Sequence, residues 1–124
     1  MSKSCCGRCK TVRIMNSLWR GGMYALEHND VILAETMQRQ ALEMLDSLGG
    51  MPVVEARIRN NLGVILSSSG RRHEAEKEFA AALRLLEGRV EPSSRFHQII
   101  ENNHAQTLSP APSNERPASR AALQ

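Results

Sequence analysis

Residues 56–89 read ARIRNNLGVILSSSGRRHEAEKEFAAALRLLEGR, and this stretch decides the fold. Its residues 60–66 align with residues 102–108 at a shift of 42, sharing an Asn pair, a small residue and a final Leu. The segment that begins at Ala34 aligns with the segment that begins at Ala75 at a shift of 41. A period of about 42 residues with two helices in each unit predicts stacked helical hairpins, each burying its apolar face against its neighbours.

Glycine and proline divide this array into five predicted helices, in which apolar residues recur at three- and four-residue spacing. Asp30 and Ser94 stand where helix N-caps are expected. Pro52 suits a first helical turn, and Gly70 suits a left-handed C-cap. We therefore expect an all-α fold of two and a half hairpins, with antiparallel helices at residues 11–27, 31–48, 52–69, 72–87 and 94–108.

The segment Ala56 to Arg89 resembles a tetratricopeptide repeat. The residues that carry the resemblance are Leu62-Gly63, Leu66, Gly70, Ala75, Phe79 and Ala82. Gly63 and Ala75 allow the two helices of the hairpin to approach closely, and Phe79 fills the space beside them. The 42-residue period is similar to that of kinesin light chains and of many bacterial members of the family. The resemblance covers roughly residues 15–108 and implies a right-handed superhelix.

The other two units of the array differ from this best-matched one. In the first unit, Arg20-Gly21 occupies the Leu-Gly position, and Gln38 stands where the second unit has Phe79. We therefore expect looser packing in the first hairpin. The third unit has only its first helix, which we expect to cap the array.

The resemblance implies that the first helix of each hairpin lines a concave groove. The groove residues implied are Trp19, Met23, Arg57, Asn60, Asn61, Val64, Ser68, Asn102, Asn103 and Gln106. Asn61 and Asn103 occupy the position where many peptide-binding members have an asparagine. A carboxamide can pair with both the N–H and the C=O of an extended peptide. The alternative is that both side chains bind neighbouring backbone or water.

Some members of the family clamp a C-terminal carboxylate with several converging Lys or Arg side chains. Here the matching positions hold Met15, Trp19 and Ile99, and Arg57 is the only base among them. The sequence therefore disfavours a carboxylate clamp of the kind found in heat-shock-protein co-chaperones.

Composition narrows the class of protein further. A chain of 124 residues with 3% aromatic residues suits one small helical domain better than a β-sheet core. Residues 1–20 hold five bases and no acid, whereas residues 21–104 hold nine bases and twelve acids. The folded body is therefore mildly acidic, which disfavours nucleic-acid binding.

With no membrane span or secretory signal in the sequence, we expect a cytoplasmic protein that does not bind membranes.

The N-terminal segment, residues 1–10, contains Cys5, Cys6 and Cys9 in a basic context. Thiolates at C-x-x-C spacing can share Zn²⁺ or an iron–sulfur cluster, with His28 or a second chain supplying the missing ligand. Neighbouring bases would also lower the pKa of the thiols and favour oxidation. We expect residues 1–10 to form a flexible arm with reduced thiols, and the metal or redox site is the alternative.

No nucleophile–base pair, phosphate-binding glycine loop or pair of catalytic carboxylates is present, so we expect no enzymatic activity. The sequence predicts a protein-interaction module, an adaptor, scaffold or chaperone-like protein, that binds a peptide or helix of a partner. One alternative is a metal- or redox-responsive protein. Another is a homo-oligomer that associates through apolar surface around Trp19 and Phe96.

Residues 109–124 have the Pro, Ser and Ala content of a disordered tail.

Overall fold

A computed structural model describes residues 7–109, which form five helices joined by short loops and contain no strand. The helices are α1 (Gly7–Glu27), α2 (Val31–Ser47), α3 (Pro52–Ser68), α4 (Arg72–Leu86) and α5 (Arg95–Leu108). The predicted all-α class is confirmed. Residues 1–6 of the predicted arm and residues 110–124 of the predicted tail lie outside the described residues. Across residues 7–109, no helix combines the length and the apolar character needed to cross a membrane.

The predicted capping residues account for the starts of α2, α3 and α5 and for the end of α3. The Asp30 carboxylate accepts a hydrogen bond from the N–H of Leu33 at 3.1 Å, and the Ser94 hydroxyl accepts one from the N–H of His97 at 3.2 Å. These bonds satisfy donors that an uncapped helix leaves without a partner. Pro52 opens α3, and Gly70 follows it with a φ of 82°, the left-handed conformation that glycine adopts at least cost.

Helix α1 begins at Gly7, earlier than the predicted start at Thr11. The Thr11 hydroxyl donates to the Gly7 carbonyl at 2.9 Å, so the additional turn has a side-chain bond of its own. Residues 7–10, which we expected to belong to a flexible arm, are therefore helical. Helix α1 also continues through Gly21-Gly22 without interruption.

Each helix packs against the next one in the chain, and the odd-numbered helices also contact one another, α1 with α3 and α3 with α5. The buried apolar side chains lie mostly on α3 and on the faces of α2 and α4 that meet it. This arrangement places α1, α3 and α5 side by side, which is the basis of the site described below.

In the second hairpin, α3 with α4, a glycine of one helix packs against an aromatic ring of the other. A Cβ atom at Gly63 would lie 2.6 Å from Cε1 of Phe79, which is fully buried. Such a distance is not tolerated between carbon atoms, so only glycine allows α3 to lie this close to the ring. Ala75 and Ala82 of α4 are also buried, as expected for closely spaced helices.

The first hairpin, α1 with α2, repeats this geometry with Gly22 and Gln38. A Cβ at Gly22 would lie 2.6 Å from Nε2 of Gln38 and 3.1 Å from the carbonyl oxygen of Ala34. The expectation of looser packing in this hairpin was wrong, because the close-approach residue is Gly22 and not Gly21. The shift of 41 that relates α2 to α4 also relates Gly22 to Gly63.

Two groups of ion pairs join the elements on the outer side of these hairpins. Arg71, between α3 and α4, binds Glu35 of α2 at 2.6 Å and Glu74 of α4 at 2.8 Å. Arg59 of α3 binds Glu55 at 2.7 Å and Glu78 of α4 at 2.9 Å. Burial acts to raise the pKa of Glu35, but hydrogen bonds from Arg71 and Arg39 hold it below its usual value.

Candidate functional site

Three side chains from the three odd-numbered helices meet on one face of the protein. The guanidinium Cζ of Arg57, on α3, lies 4.8 Å from the ring centroid of Phe96 on α5 and 5.8 Å from that of Trp19 on α1. Both distances lie within the range of cation–π attraction, worth about 0.5–1 kcal/mol each at exposed sites. We call these three residues the arginine–aromatic cluster.

Trp19 is held in place by contacts along and beneath α1. Its ring is half-buried and packs against the apolar cluster that contains Met15 and Ile58. Its Nε1–H donates to Oδ1 of Asn16 at 3.3 Å, and its backbone carbonyl accepts a hydrogen bond from Nε2 of Gln38 at 2.7 Å. Gln38 is fully buried, so this bond ties the backbone that carries the indole to α2.

Phe96 lies in the first turn of α5, just after the N-cap Ser94. Its ring is half-buried and packs against the apolar cluster of α3 and α4 that contains Phe79. The two rings of the arginine–aromatic cluster are therefore anchored in different parts of the core. Arg57 spans the gap between them.

Arg57 is exposed and forms no ion pair with any residue in the range 7–109. A second base, Arg20, places its Cζ 5.4 Å from the Trp19 ring centroid and likewise has no acidic partner in this range. Helix α1 contains four bases and a single acid, Glu27 at its last residue. The face around Trp19 is therefore both basic and partly apolar.

This combination can bind an anion beside an apolar group. A guanidinium offers five donors in a planar fork, which matches a carboxylate. Ring faces on both sides restrict the rotamers of Arg57, which lowers the entropy lost when a ligand binds. The cluster contains no group that could act as a nucleophile or a general base.

The structure brings Trp19 and Arg57 together, as the predicted groove requires, but it buries the predicted asparagines. Asn60, Asn61 and Asn103 are 1%, 4% and 5% exposed. Nδ2 of Asn103 donates to Oδ1 of Asn60 at 3.0 Å, which joins α5 to α3. The expectation that Asn61 and Asn103 are open to a peptide backbone is corrected accordingly, because both residues are buried.

The remaining predicted groove residues fall into three groups. Val64 is 2% exposed and belongs to the core. Met23 and Ser68 are half-buried, and the Ser68 hydroxyl donates to the carbonyl of Ile65 at 2.8 Å. Asn102 and Gln106 are exposed on α5. These two amides remain accessible to a partner.

The predicted metal site is described only in part. Cys9 is exposed in the first turn of α1, whereas Cys5 and Cys6 lie outside the described residues. Within residues 7–109, no group of three His, Cys, Asp or Glu side chains could hold a metal ion. His97 and His104 of α5 each face a different carboxylate, Glu101 at 3.2 Å and Glu76 at 3.1 Å.

Comparisons with known proteins found no relative of this chain. No family model, no curated protein and no solved structure matches the chain. The resemblance to tetratricopeptide repeats therefore stays a prediction that depends on the residues themselves.

Phe96 and Arg20 are the site residues that the predicted groove omitted. The sequence places Phe96 on the apolar side of α5, four residues before the buried Ile100, and this periodicity was a signal that it packs toward α3. No sequence signal couples Phe96 to Arg57, because they lie on different helices whose relative rotation is set by packing.

Proposed function

We propose that the protein is a non-catalytic interaction module that binds a segment of a partner protein on the face formed by α1, α3 and α5. The observation that carries the proposal is the arginine–aromatic cluster, in which an exposed guanidinium lies between the rings of Trp19 and Phe96. Trp and Arg are the residue types that most often dominate binding energy at protein interfaces.

The apolar part of this face supports the same function. Trp19, Met23 and Phe96 are half-buried, so each offers part of its surface to a partner while the rest packs on the core. Asn102 and Gln106 extend the face with exposed amides. A central aromatic anchor with polar groups at its edge is the usual composition of an interface.

The test is affinity capture of the full chain, together with the proteins bound to it, from the cells that express it. Quantitative mass spectrometry then measures the amount of each captured protein. Trp19→Ala and Phe96→Ala each remove one ring of the cluster. Tyr24→Ala is the matched control, because Tyr24 is a 65% exposed aromatic residue on α1 that lies off the cluster. Circular dichroism of each variant establishes that the helices are retained.

We expect one or more partners to be captured by the wild-type chain and by Tyr24→Ala, and to be lost from both ring variants. Each ring should account for about a tenfold or greater loss of affinity, as expected for an interface anchor. Partners captured equally by all four proteins would contradict the proposed site.

A further inference from the structure

We infer that the partner segment is acidic and that Arg57 binds one of its side-chain carboxylates, an inference that rests on the proposed function. The occupant is a segment of another protein that carries Asp or Glu next to an apolar side chain. The carboxylate would lie against the guanidinium, and the apolar side chain against the exposed parts of the Trp19 and Phe96 rings.

Arg57 differs from the arginines that form ion pairs within the domain. An arginine that has a structural role in an ion pair is bound by a carboxylate of its own chain, as Arg59 and Arg71 are here. Arg57 has no such partner among residues 7–109, and it is fixed by two rings that leave its charge uncompensated. Its fork of N–H donors is therefore available to an external anion.

The bases near Arg57 also favour an acidic ligand. Arg13 and Arg20 are seven residues apart and so lie on one face of α1, where Arg20 also approaches Trp19. Neither base has an ion-pair partner among the described residues. The nearest acid on α3, Glu55, is held by Arg59 at 2.7 Å. The charges of Arg13, Arg20 and Arg57 are therefore not neutralised by an ion pair with any described residue, which favours an acidic segment over a basic one.

The two aromatic rings favour a peptide side chain over other anions. The half-buried faces of Trp19 and Phe96 lie on both sides of the guanidinium, so a ligand must place apolar atoms next to its negative charge. A peptide with alternating acidic and apolar side chains meets this requirement. The bases available here are also few, and a nucleic-acid backbone needs a longer row of them.

The experiment is selection of short random peptides, displayed on phage, against the full chain and against two variants. Arg57→Gln removes the charge and keeps an exposed polar side chain. Arg84→Gln is the matched control, because Arg84 is an exposed base at the end of α4 that also lacks an ion pair with any described residue. Affinities of the selected peptides are measured by fluorescence, since Trp19 is the only tryptophan in the sequence and lies in the cluster.

We expect the wild-type chain and Arg84→Gln to enrich peptides rich in Asp and Glu, and Arg57→Gln to lose this enrichment. Selected acidic peptides should change the Trp19 fluorescence and bind Arg57→Gln about ten- to a hundredfold more weakly, as expected for a lost charge-assisted hydrogen bond. Added salt should weaken the binding to the wild-type chain more than the binding to Arg57→Gln.

Other outcomes overturn the inference in different ways. The selected peptides could show no preference for Asp or Glu and still bind Trp19→Ala more weakly than the wild-type chain. This result would contradict an acidic partner and would agree with the proposed function. No enrichment at all, together with unchanged capture by the ring variants, would overturn both. Displacement of the selected peptides by an oligonucleotide at equal concentration would contradict a protein segment as the occupant.

Discussion

The two hairpins of this protein pack a glycine of one helix against a large side chain of the other, but the large side chain differs. In α3 and α4 the pair is Gly63 and the Phe79 ring, and in α1 and α2 it is Gly22 and the Gln38 amide. The aromatic ring contributes apolar burial alone. The amide also donates a hydrogen bond to the backbone of Trp19, so the first hairpin combines packing with the positioning of a site residue.

This difference has a cost in the first hairpin. Oε1 of Gln38 is buried and accepts no hydrogen bond from the described residues, whereas Phe79 has no polar atom to satisfy. A buried polar atom without a partner destabilises a protein by about 1–3 kcal/mol. We therefore regard the second hairpin as the stable part of the domain and the first as the part adapted to the site.

The largest expected effect comes from Phe79→Ala in the second hairpin. Removal of a fully buried ring leaves a cavity and should lower the free energy of unfolding by about 3–5 kcal/mol. The matched change in the first hairpin, Gln38→Ala, should cost about 1–3 kcal/mol, because it also removes an unpartnered oxygen. Urea denaturation followed by circular dichroism measures both values. Equal losses would contradict the assignment of the second hairpin as the stable part.

Gln38→Glu tests the hydrogen bond of the first hairpin without changing its shape. The ionised carboxylate cannot donate to the Trp19 carbonyl and is buried without a counter-charge, so the loss at neutral pH should be about 2–4 kcal/mol. Burial raises the pKa of such a carboxyl in the folded state, so stability should recover as the pH falls and the group becomes protonated. A loss that does not change with pH would contradict the burial of an ionised carboxylate at this position.

Gly63→Ala should destabilise the protein more than Gly22→Ala does. The added Cβ meets the buried Phe79 ring at 2.6 Å, and we expect a net loss of about 1–3 kcal/mol in spite of the better helix propensity of alanine. At Gly22 the nearest atom is Nε2 of Gln38, the end of a flexible side chain that can move at the cost of its hydrogen bond to the Trp19 carbonyl, and the Ala34 carbonyl oxygen at 3.1 Å needs to shift only slightly. Urea midpoints rank the two variants. In a Phe79→Ala background, Gly63→Ala should no longer be destabilising.

The smallest effect concerns the ion pairs that join the two hairpins. The pKa of Glu35 is held below its usual value of 4.5 by Arg71 and Arg39, against the opposing effect of burial. A lowered pKa contributes stability that is present above the usual value and lost as the pH falls through the lowered one. Glu35→Gln should therefore lower stability slightly at neutral pH and reduce the loss on acidification, as urea midpoints across this range would record. A steeper acid loss in the variant would contradict this assignment.

Local signals in the sequence were sufficient for the helices. Asp30, Pro52, Gly70 and Ser94 each fix a helix end through a bond or a backbone angle that depends on near neighbours alone, and each was predicted correctly. The start of α1 was missed because the Thr11 bond to the Gly7 carbonyl has no distinctive pattern in sequence.

The site was predicted less completely, because it depends on how the helices are rotated about their axes. The predicted groove placed Trp19 and Arg57 on one face, where the structure also brings them together, but Asn61 and Asn103 proved buried. A helix face that is polar in sequence can face either a groove or a neighbouring helix. Asn103 and Asn60 lie 43 residues apart in the sequence. The hydrogen bond between them depends on how α5 packs against α3 and has no local sequence pattern.

The central claim is that α1, α3 and α5 stack so that Arg57 lies between the rings of Trp19 and Phe96. The most direct test is the NMR spectrum of the Arg57 side chain in the wild-type chain, in Trp19→Ala and in Phe96→Ala. We predict that the side-chain protons near its guanidinium are shifted upfield by the ring currents, and that each ring variant removes part of this shift. Arg57 protons at the positions of an unstructured peptide, unchanged in both variants, would contradict the account.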